Sequence, residues 1–126
     1  MAGFAMIVAG FGFRAGAMVE SLHDALRRTG DKGVAALATV AEKADAPAFL
    51  HLSNDLGLPI RAVAANDLTR QQTVTRSEAS LAAHGTGSVA EAAALAAAGP
   101  GARLLAARVI SGDGTATCAL AEGADA

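Results

Sequence analysis

The chain has 126 residues, a net charge of −2 and a pI near 5.8, and we expect one domain over residues 1–126. Only 3% of the residues are aromatic and the net charge is negative, which argues against a basic, base-stacking surface for nucleic acid. The N-terminus has no basic segment and no apolar run reaches the roughly 20 residues that cross a bilayer, so we expect a cytoplasmic protein without membrane contact.

The first informative segment is residues 4–16, FAMIVAGFGFRAG. An apolar run that is broken by glycine and followed by helix formers predicts a buried strand, a tight loop and the start of a helix. Gly10, Gly12 and Gly16 have no Cβ, so their backbone N–H groups can approach a ligand closely. Arg14 has a planar donor fork that suits a carboxylate or phosphate. Together with the N-terminus of the next helix, the segment predicts an anion site.

The next two elements are a helix and a strand. Residues 17–29 predict an amphipathic helix with Met18 on its buried face. Residues 33–40 are apolar almost throughout, which is typical of a strand covered on both faces. If this strand lies parallel to the first, Lys43 after its end falls near the glycine loop, because carboxyl ends of strands collect the ligand. As a lone lysine it is equally a solvated surface charge.

Helix and strand signals continue in the middle of the chain. Asp45 and Pro47 predict the N-cap and first turn of a second helix, which Gly57 ends. Residues 60–64 predict a short third strand, followed by a helical turn. Residues 73–80 are rich in hydroxyl groups and predict a loop, either a ligand-covering segment or an ordinary solvated connection.

A second glycine-bearing corner precedes the Ala-rich stretch. Ser88 and Glu91 have the spacing of a capping box, in which the Ser side chain bonds a first-turn N–H and the Glu reaches back. This pattern predicts a helix start. Gly85, Thr86 and Gly87 lie just before it, and an exposed set of backbone donors there is the functional alternative to a plain structural turn.

The chain closes with two apolar runs, residues 103–110 and 115–121, around a Gly/Asp-rich turn, which predicts a β-hairpin. The single Cys118 cannot form an internal disulfide or a metal site alone, and we expect an inert core thiol. We expect neither a metal nor a cofactor. The predicted fold is α/β, a three-layer α/β/α sandwich whose mixed, mostly parallel sheet of about five strands ends in this hairpin.

One interpretation of the pattern GFGFRA at residues 10–15 is a dinucleotide-binding loop, with Glu42 as the ribose acceptor. The spacing to Glu42 is longer than that motif prefers. Phe13 and Arg14 also crowd the path of the pyrophosphate. This interpretation is the weakest of three.

Three segments carry a more specific resemblance. Residues 8–16, VAGFGFRAG, resemble the opening Gly-x-Gly-x-Arg-x-Gly of the cobalamin biosynthesis family formed by CobE and the C-terminal domain of CbiG. Residues 37–43 resemble its second strand with a lysine, and residues 85–95 are similar to its Gly-x-x-Ser-Val-x-Glu-x-x-Ala-Leu signature. Phe13 departs from the pattern, because many relatives carry cysteine there, so a thiol role at this position is not expected.

The resemblance implies a role in making the corrin ring of vitamin B12. CbiG proteins open a lactone on a cobalt-precorrin and release a two-carbon fragment, whereas CobE belongs to the oxygen-dependent route and is thought to handle or deliver a corrin intermediate. No segment ahead of Gly3 corresponds to the N-terminal domains of CbiG, so we expect the stand-alone CobE form. The expected partners are a precorrin or other corrinoid, other cobalamin biosynthesis enzymes and, through Ala-rich helix faces, a second copy of the chain.

The resemblance also implies how the ligand is held. Precorrins are flat and apolar at the centre, with a rim of carboxylates. We expect a cleft in which two helix N-termini, Arg14 and Lys43 hold the rim while Phe11 and Phe13 meet the macrocycle. The expected ligand-binding residues are Gly10, Phe11, Gly12, Phe13, Arg14, Gly16, Glu42, Lys43, Gly85, Thr86, Gly87, Ser88 and Glu91.

The alternative is a lactone hydrolase activity retained from CbiG. Hydrolysis needs a base or nucleophile that water can reach, and Glu42, Lys43 and Glu91 are the candidates nearest the motifs. A capping box would occupy Glu91 and leave no convincing acid/base pair. The sequence therefore favours binding over catalysis.

Overall fold

The computed structural model describes residues 6–30 and 33–124, and the apolar runs within them form the strands of one sheet. The strands are β1 (Ile7–Phe13), β2 (Val34–Val40), β3 (Ile60–Val63), β4 (Arg103–Ile110) and β5 (Ala116–Glu122). The helices are α1 (Val19–Arg28), α2 (Pro47–Leu56), α3 (Ala65–Thr69), α4 (Glu78–His84) and α5 (Val89–Ala98), and a 3₁₀ turn follows β2 at Ala41–Lys43.

The sheet has the strand order β3-β2-β1-β5-β4. β1 pairs parallel to β2 and β2 parallel to β3, whereas β5 runs antiparallel to both β1 and β4. Only β5 is reversed, so the carboxyl ends of the other four strands lie along the same edge. This arrangement confirms the predicted mixed sheet with a C-terminal hairpin.

Helices cover both faces of the sheet. α1 and α2 pack on one face, in a cluster that includes Phe11, Leu22 and Phe49. α3 and α5 pack on the other face, where the contacting side chains are mostly small, as at Ala38 and Ala92. Small residues allow close approach of a helix to a sheet, and the predicted three-layer sandwich is confirmed.

The glycines of the first segment serve this close packing. Gly10 and Gly12 lie inside β1, not in a loop after it. A Cβ at Gly10 would overlap the backbone carbonyl oxygen of Ala90 in α5 and would be 2.5 Å from the backbone nitrogen of Ala94. The expectation that Gly10 admits a ligand is therefore wrong, because α5 occupies the space that its missing side chain leaves.

Two helix starts differ from prediction. α1 begins at Val19, so Met18 takes the N-cap position, where its side chain is 62% exposed instead of buried. α2 begins at Pro47 with Ala46 as its N-cap, so Asp45 does not cap it. Both corrections move the start by a residue or two, within the usual variation of helix ends.

The segment predicted as a loop over residues 73–80 contains the first turn of α4. The side chain of Ser77 caps that helix by accepting a hydrogen bond from the backbone N–H of Ser80, at 3.3 Å. Gly85 ends it with a left-handed backbone, φ 69°. Hydroxyl residues favour caps as well as loops, which is why composition alone missed the helix.

Among the residues that the structure describes, no helix has the length and apolar character needed to span a membrane.

Candidate functional site

A cavity of about 320 Å³ opens at the edge where β1 and β4 end. α4 forms one wall, the N-terminus of α5 forms a second, and the turn of the β4–β5 hairpin forms a third. The lining residues are Gly12, Phe13, Arg14, Ala79, Ser80, Ala83, His84, Ser88, Val89, Arg108, Ile110, Gly114, Thr115 and Thr117. Ligands of open α/β sheets commonly bind at this edge.

The charged side chains that line this cavity are arginines. Arg14 and Arg108 are its two arginines, and His84 is its imidazole, whose Nδ1 lies 3.9 Å from the Glu42 carboxylate on a neighbouring cavity. None of the described residues that line this cavity carries a carboxylate. Neither guanidinium makes an ion pair or a hydrogen bond with another residue in the described ranges 6–30 and 33–124. The cavity therefore presents two unpaired cationic groups to a ligand.

The carboxylate nearest to the cavity wall in sequence is Asp113, in the hairpin turn, and it is engaged elsewhere. It accepts hydrogen bonds from the Ser111 hydroxyl at 2.6 Å, from the Ser21 hydroxyl, and from the Thr115 backbone N–H at 3.1 Å. These bonds hold the pKa of Asp113 well below its usual range. They also fasten the turn to α1, which keeps the cavity wall in place.

Ser88 lies on the cavity wall and caps α5. Its hydroxyl oxygen accepts a hydrogen bond from the backbone N–H of Glu91 at 3.2 Å, so the Ser half of the predicted capping box is confirmed. The Glu half is wrong. The Glu91 carboxylate instead accepts hydrogen bonds from the backbone N–H groups of Val74 (2.8 Å), Thr75 (3.1 Å) and Arg108 (2.9 Å), and from the Thr75 hydroxyl (2.5 Å).

Glu91 is fully buried and does not line the cavity. Burial by itself would raise the pKa of its carboxyl group, but the hydrogen bonds from Arg108, Thr75 and Val74 outweigh burial and lower it. The side chain is therefore a structural carboxylate that ties β4 and residues 74–75 to α5. The expectation that Glu91 contacts a ligand directly is wrong.

Lys43 is close to the end of β1, as the parallel pairing of β1 and β2 predicts, but it does not reach the cavity. Its ammonium group donates to the backbone carbonyl of Phe13 and lies 5.1 Å from the centroid of that ring. Phe13 in turn stacks on Phe49 at 5.5 Å between ring centroids. Lys43 thus supports Phe13 from behind, while Phe13 itself lines the cavity.

Three other expected residues lie away from the cavity. Phe11 is fully buried against Phe49, so the expectation that it meets a macrocycle is wrong. Gly16 is exposed and has no atom within 4 Å of the position of a Cβ. Glu42 lies on a neighbouring cavity of about 420 Å³ that shares Ala83 and His84 with the first.

The corner at residues 85–87 also packs against protein. A Cβ at Gly87 would overlap the backbone carbonyl oxygen of Thr75, and the Gly87 carbonyl accepts a hydrogen bond from the Ser77 N–H at 2.8 Å. Thr86 is buried, and its hydroxyl has no hydrogen-bond partner in the described part of the chain. Gly87 therefore packs against the segment before α4, and a donor role of Gly85, Thr86 and Gly87 toward a ligand stays a prediction.

Among the ionisable residues that line the cavity, sequence reasoning missed His84 and Arg108. His84 is the last residue of α4, a helix that was not predicted. Arg108 reaches the cavity because the pairing register of β4 shifts before it, and no pattern in the sequence predicts that shift.

The comparisons with known proteins agree with this architecture. The family model described as cobalamin synthesis G C-terminus matches residues 7–121. The chain belongs to the CbiG C-terminal family. Membership places it among cobalamin biosynthesis proteins and confirms the resemblance found in the sequence. No curated protein gives a significant match.

Two solved structures resemble this member of the CbiG C-terminal family over nearly its whole length. The crystal structure of CobE, a protein from the cobalamin biosynthetic pathway, is 32% identical, covers 100% of this chain and 96% of its own, and superimposes with a TM-score of 0.87. The cobalamin biosynthesis protein chiG from Agrobacterium tumefaciens is 37% identical, covers 95% of this chain and 100% of its own, and has a TM-score of 0.72.

A third structure supports the fold alone. The putative cobalamin biosynthesis protein G homolog from Sulfolobus solfataricus is 20% identical, with a TM-score of 0.69, and the match covers 95% of this chain and 37% of that one.

Proposed function

We propose that this CbiG C-terminal family member binds a precorrin or corrin intermediate by its peripheral carboxylates and delivers it to another cobalamin biosynthesis enzyme. The observation that carries the proposal is the charge of the 320 Å³ cavity, where Arg14 and Arg108 are unpaired within the described chain and no carboxylate faces them. A polyacidic ligand supplies the missing partners.

Each cavity group suits a carboxylate in a different way. The arginine fork forms two parallel charge-assisted hydrogen bonds with a carboxylate. The N-terminus of α5 at Ser88 and Val89 adds its dipole, which contributes about 0.3–1 kcal/mol toward a nearby anion. His84 adds positive charge when it is protonated.

The size of the cavity supports binding at the edge of the macrocycle. A volume of about 320 Å³ is at the low end of the roughly 300–1,000 Å³ of pockets that enclose drug-sized ligands, and a tetrapyrrole with its side chains is larger than such ligands. One or two carboxylate side chains fit inside, and the ring then rests on the rim at Phe13 and Ile110, the latter 47% exposed. A ligand held by its edge keeps the rest of the ring accessible to a receiving enzyme, as delivery requires.

The lactone hydrolase alternative has less support. Glu42, Lys43 and Glu91, the acid/base candidates from the sequence, are not among the residues that line this cavity. His84 does line it, and the Glu42 carboxylate lies 3.9 Å from its Nδ1, but that carboxylate lines the neighbouring cavity and not this one. Binding without chemistry therefore fits the cavity better.

The test is a titration of the protein with hydrogenobyrinic acid, in which the absorbance spectrum of the corrin ring reports binding. We expect a saturable spectral shift whose dissociation constant rises about tenfold in Arg14→Ala, because one charge-assisted hydrogen-bonded pair is lost. Arg27→Ala is the matched control, since it removes the same charge from an α1 side chain that is 73% exposed and outside the cavity.

Absence of binding at high micromolar ligand would overturn the proposal, and so would equal weakening in Arg14→Ala and Arg27→Ala. Release of acetaldehyde from a cobalt-precorrin lactone would instead favour the hydrolase.

A further inference from the structure

Strand β4 contains two more residues than the matching stretch of β5. The pairing register shifts once between Leu104 and Ala106 and again between Ala106 and Val109. Such β-bulges bend a strand and change the direction in which its side chains point. They are frequent beside functional sites, and here the second bulge lies next to the cavity.

The second bulge decides where Arg108 points. In a regular strand, residues two apart share a face, so Arg108 would share the face of Ala106, which packs against the α1–α2 core. Because of the extra residue, Val109 also packs against that core, and Arg108 faces the cavity on the opposite side. The unpaired guanidinium reaches the cavity only with this bulge in place.

A bulge leaves backbone groups without a ladder partner, and one of them is bonded by a side chain. The β4–β5 register skips Arg108, and its backbone N–H donates to the Glu91 carboxylate at 2.9 Å. Glu91 comes from α5 and is fully buried, so this acceptor is fixed in position. Its other oxygen accepts from Val74 and Thr75, which prevents the carboxylate from turning away.

We propose that Glu91 is a positioning residue for ligand binding: it holds the β4 bulge so that the Arg108 guanidinium meets a carboxylate of the ligand in the cavity. This inference rests on the proposed function. It assigns Glu91 no contact with the ligand and no charge pairing with the guanidinium, only control of the backbone at residue 108.

A carboxylate is suited to this task because an ionised Glu only accepts hydrogen bonds. Val74, Thr75 and Arg108 all donate to it. A glutamine is nearly the same size, but its amide nitrogen is a donor and would face N–H groups at one of these positions. Glu91→Gln therefore changes the hydrogen bonding at the bulge with little change in volume.

The experiment is a double-mutant cycle with Arg108→Ala, Glu91→Gln and the double variant, titrated with hydrogenobyrinic acid. We expect Arg108→Ala to weaken binding by about tenfold to a hundredfold and Glu91→Gln by at least about fivefold. The double variant should bind no more weakly than Arg108→Ala alone, because Glu91 acts through Arg108.

Two controls separate positioning from stability. Arg103→Ala removes the same charge from the same strand, at a side chain that is 74% exposed and outside the cavity. Thr75→Val removes one hydrogen bond to Glu91 and leaves the Arg108 N–H bond in place. Both variants should bind within about twofold of the original protein, and hydrogen exchange of the Arg108 amide should accelerate in Glu91→Gln but not in Thr75→Val.

The outcomes are distinct. Suppose that the original protein binds hydrogenobyrinic acid, and that the double variant loses as much binding free energy as the two single variants lose together. The positioning role is then overturned while the proposed function stands. An unchanged exchange rate of the Arg108 amide in Glu91→Gln overturns it as well. If the original protein does not bind, the proposed function fails and the positioning role fails with it.

Discussion

Gly10 lies at the closest approach between β1 and α5. The backbone of α5 fills the position that a side chain would take, with the nitrogen of Ala94 at 2.5 Å from an ideal Cβ. Backbone atoms cannot rotate away as a flexible side chain can. The glycine is therefore required by packing in the centre of the sheet.

We predict that Gly10→Ala lowers the free energy of unfolding by about 3 kcal/mol, because α5 must shift from the sheet to admit one methyl group. Gly16→Ala is the matched control: nothing lies within 4 Å of its Cβ position, and its φ is not positive, so its stability should stay within about 0.5 kcal/mol of the original or rise slightly. Urea unfolding measures both. Equal stability of the two variants would contradict the packing role.

Glu91 makes stability depend on pH. Its pKa is lower in the folded protein than its ordinary value of 4.5, so the unfolded chain binds more protons as the pH falls. Its contribution is therefore complete above that value and is lost as the pH falls through the folded pKa. Glu91→Gln should lower the free energy of unfolding by about 1–3 kcal/mol at pH 7.

The measurement is urea unfolding of the original protein and Glu91→Gln between pH 7 and pH 3. We expect the difference in stability to shrink below pH 4.5, as the carboxylate of the original protein becomes protonated. Glu20→Gln, at an exposed position in the first turn of α1, is the control, and its free energy of unfolding at neutral pH should differ little from that of the original protein. A constant difference across the range would contradict the role of the charge.

At the scale of elements, α4 and α5 differ sharply although both border the cavity. None of the residues of α4 is buried, whereas seven consecutive residues of α5 are, from Val89 to Leu95. Local stability follows buried apolar contact, so α4 should open far more readily than α5. We therefore expect α4 to be the cavity wall that moves when a ligand enters.

We predict that the amides of α4 exchange with solvent much faster than those of α5, and that bound hydrogenobyrinic acid slows exchange in α4. Hydrogen exchange with peptide mass spectrometry, with and without ligand, measures both effects. α1, which does not line the cavity, is the internal control. If the ligand slowed amide exchange in α1 and in α4 by the same factor, the result would indicate general stabilisation of the protein instead of contact between the ligand and α4.

At the scale of the whole molecule, the sequence predicts the architecture well. Three local signals in the sequence predict elements that the structure contains. They are the apolar runs of strand length, Gly57 at the end of α2 and the Gly/Asp-rich turn before β5. The parallel neighbours β1 and β2, and hence the position of Lys43 near Phe13, also follow from pattern. Local signals suffice because propensity and burial agree in these segments.

The cavity could be predicted only in part. Arg14 and Ser88 share it, but Arg108 depends on a bulge and His84 on α4, and both depend on contacts between distant parts of the chain. A glycine required by an adjacent helix has the same sequence signature as a glycine required by a ligand, which misdirected the interpretation of Gly10. The tertiary partner that distinguishes the two cases is invisible in the local sequence.

The strand order has a consequence for synthesis on the ribosome. β1 is the first of the five strands to be translated, and β5, the last of them, is one of its two neighbours. Until residues 116–122 emerge, β1 has one unpaired edge in the middle of the sheet, and the sheet waits for the pairing of residues 7–13 with residues 116–122. The sheet is therefore completed only after β5 has been translated, and a chain interrupted before β5 exposes the apolar edge of β1 to chaperones or to aggregation.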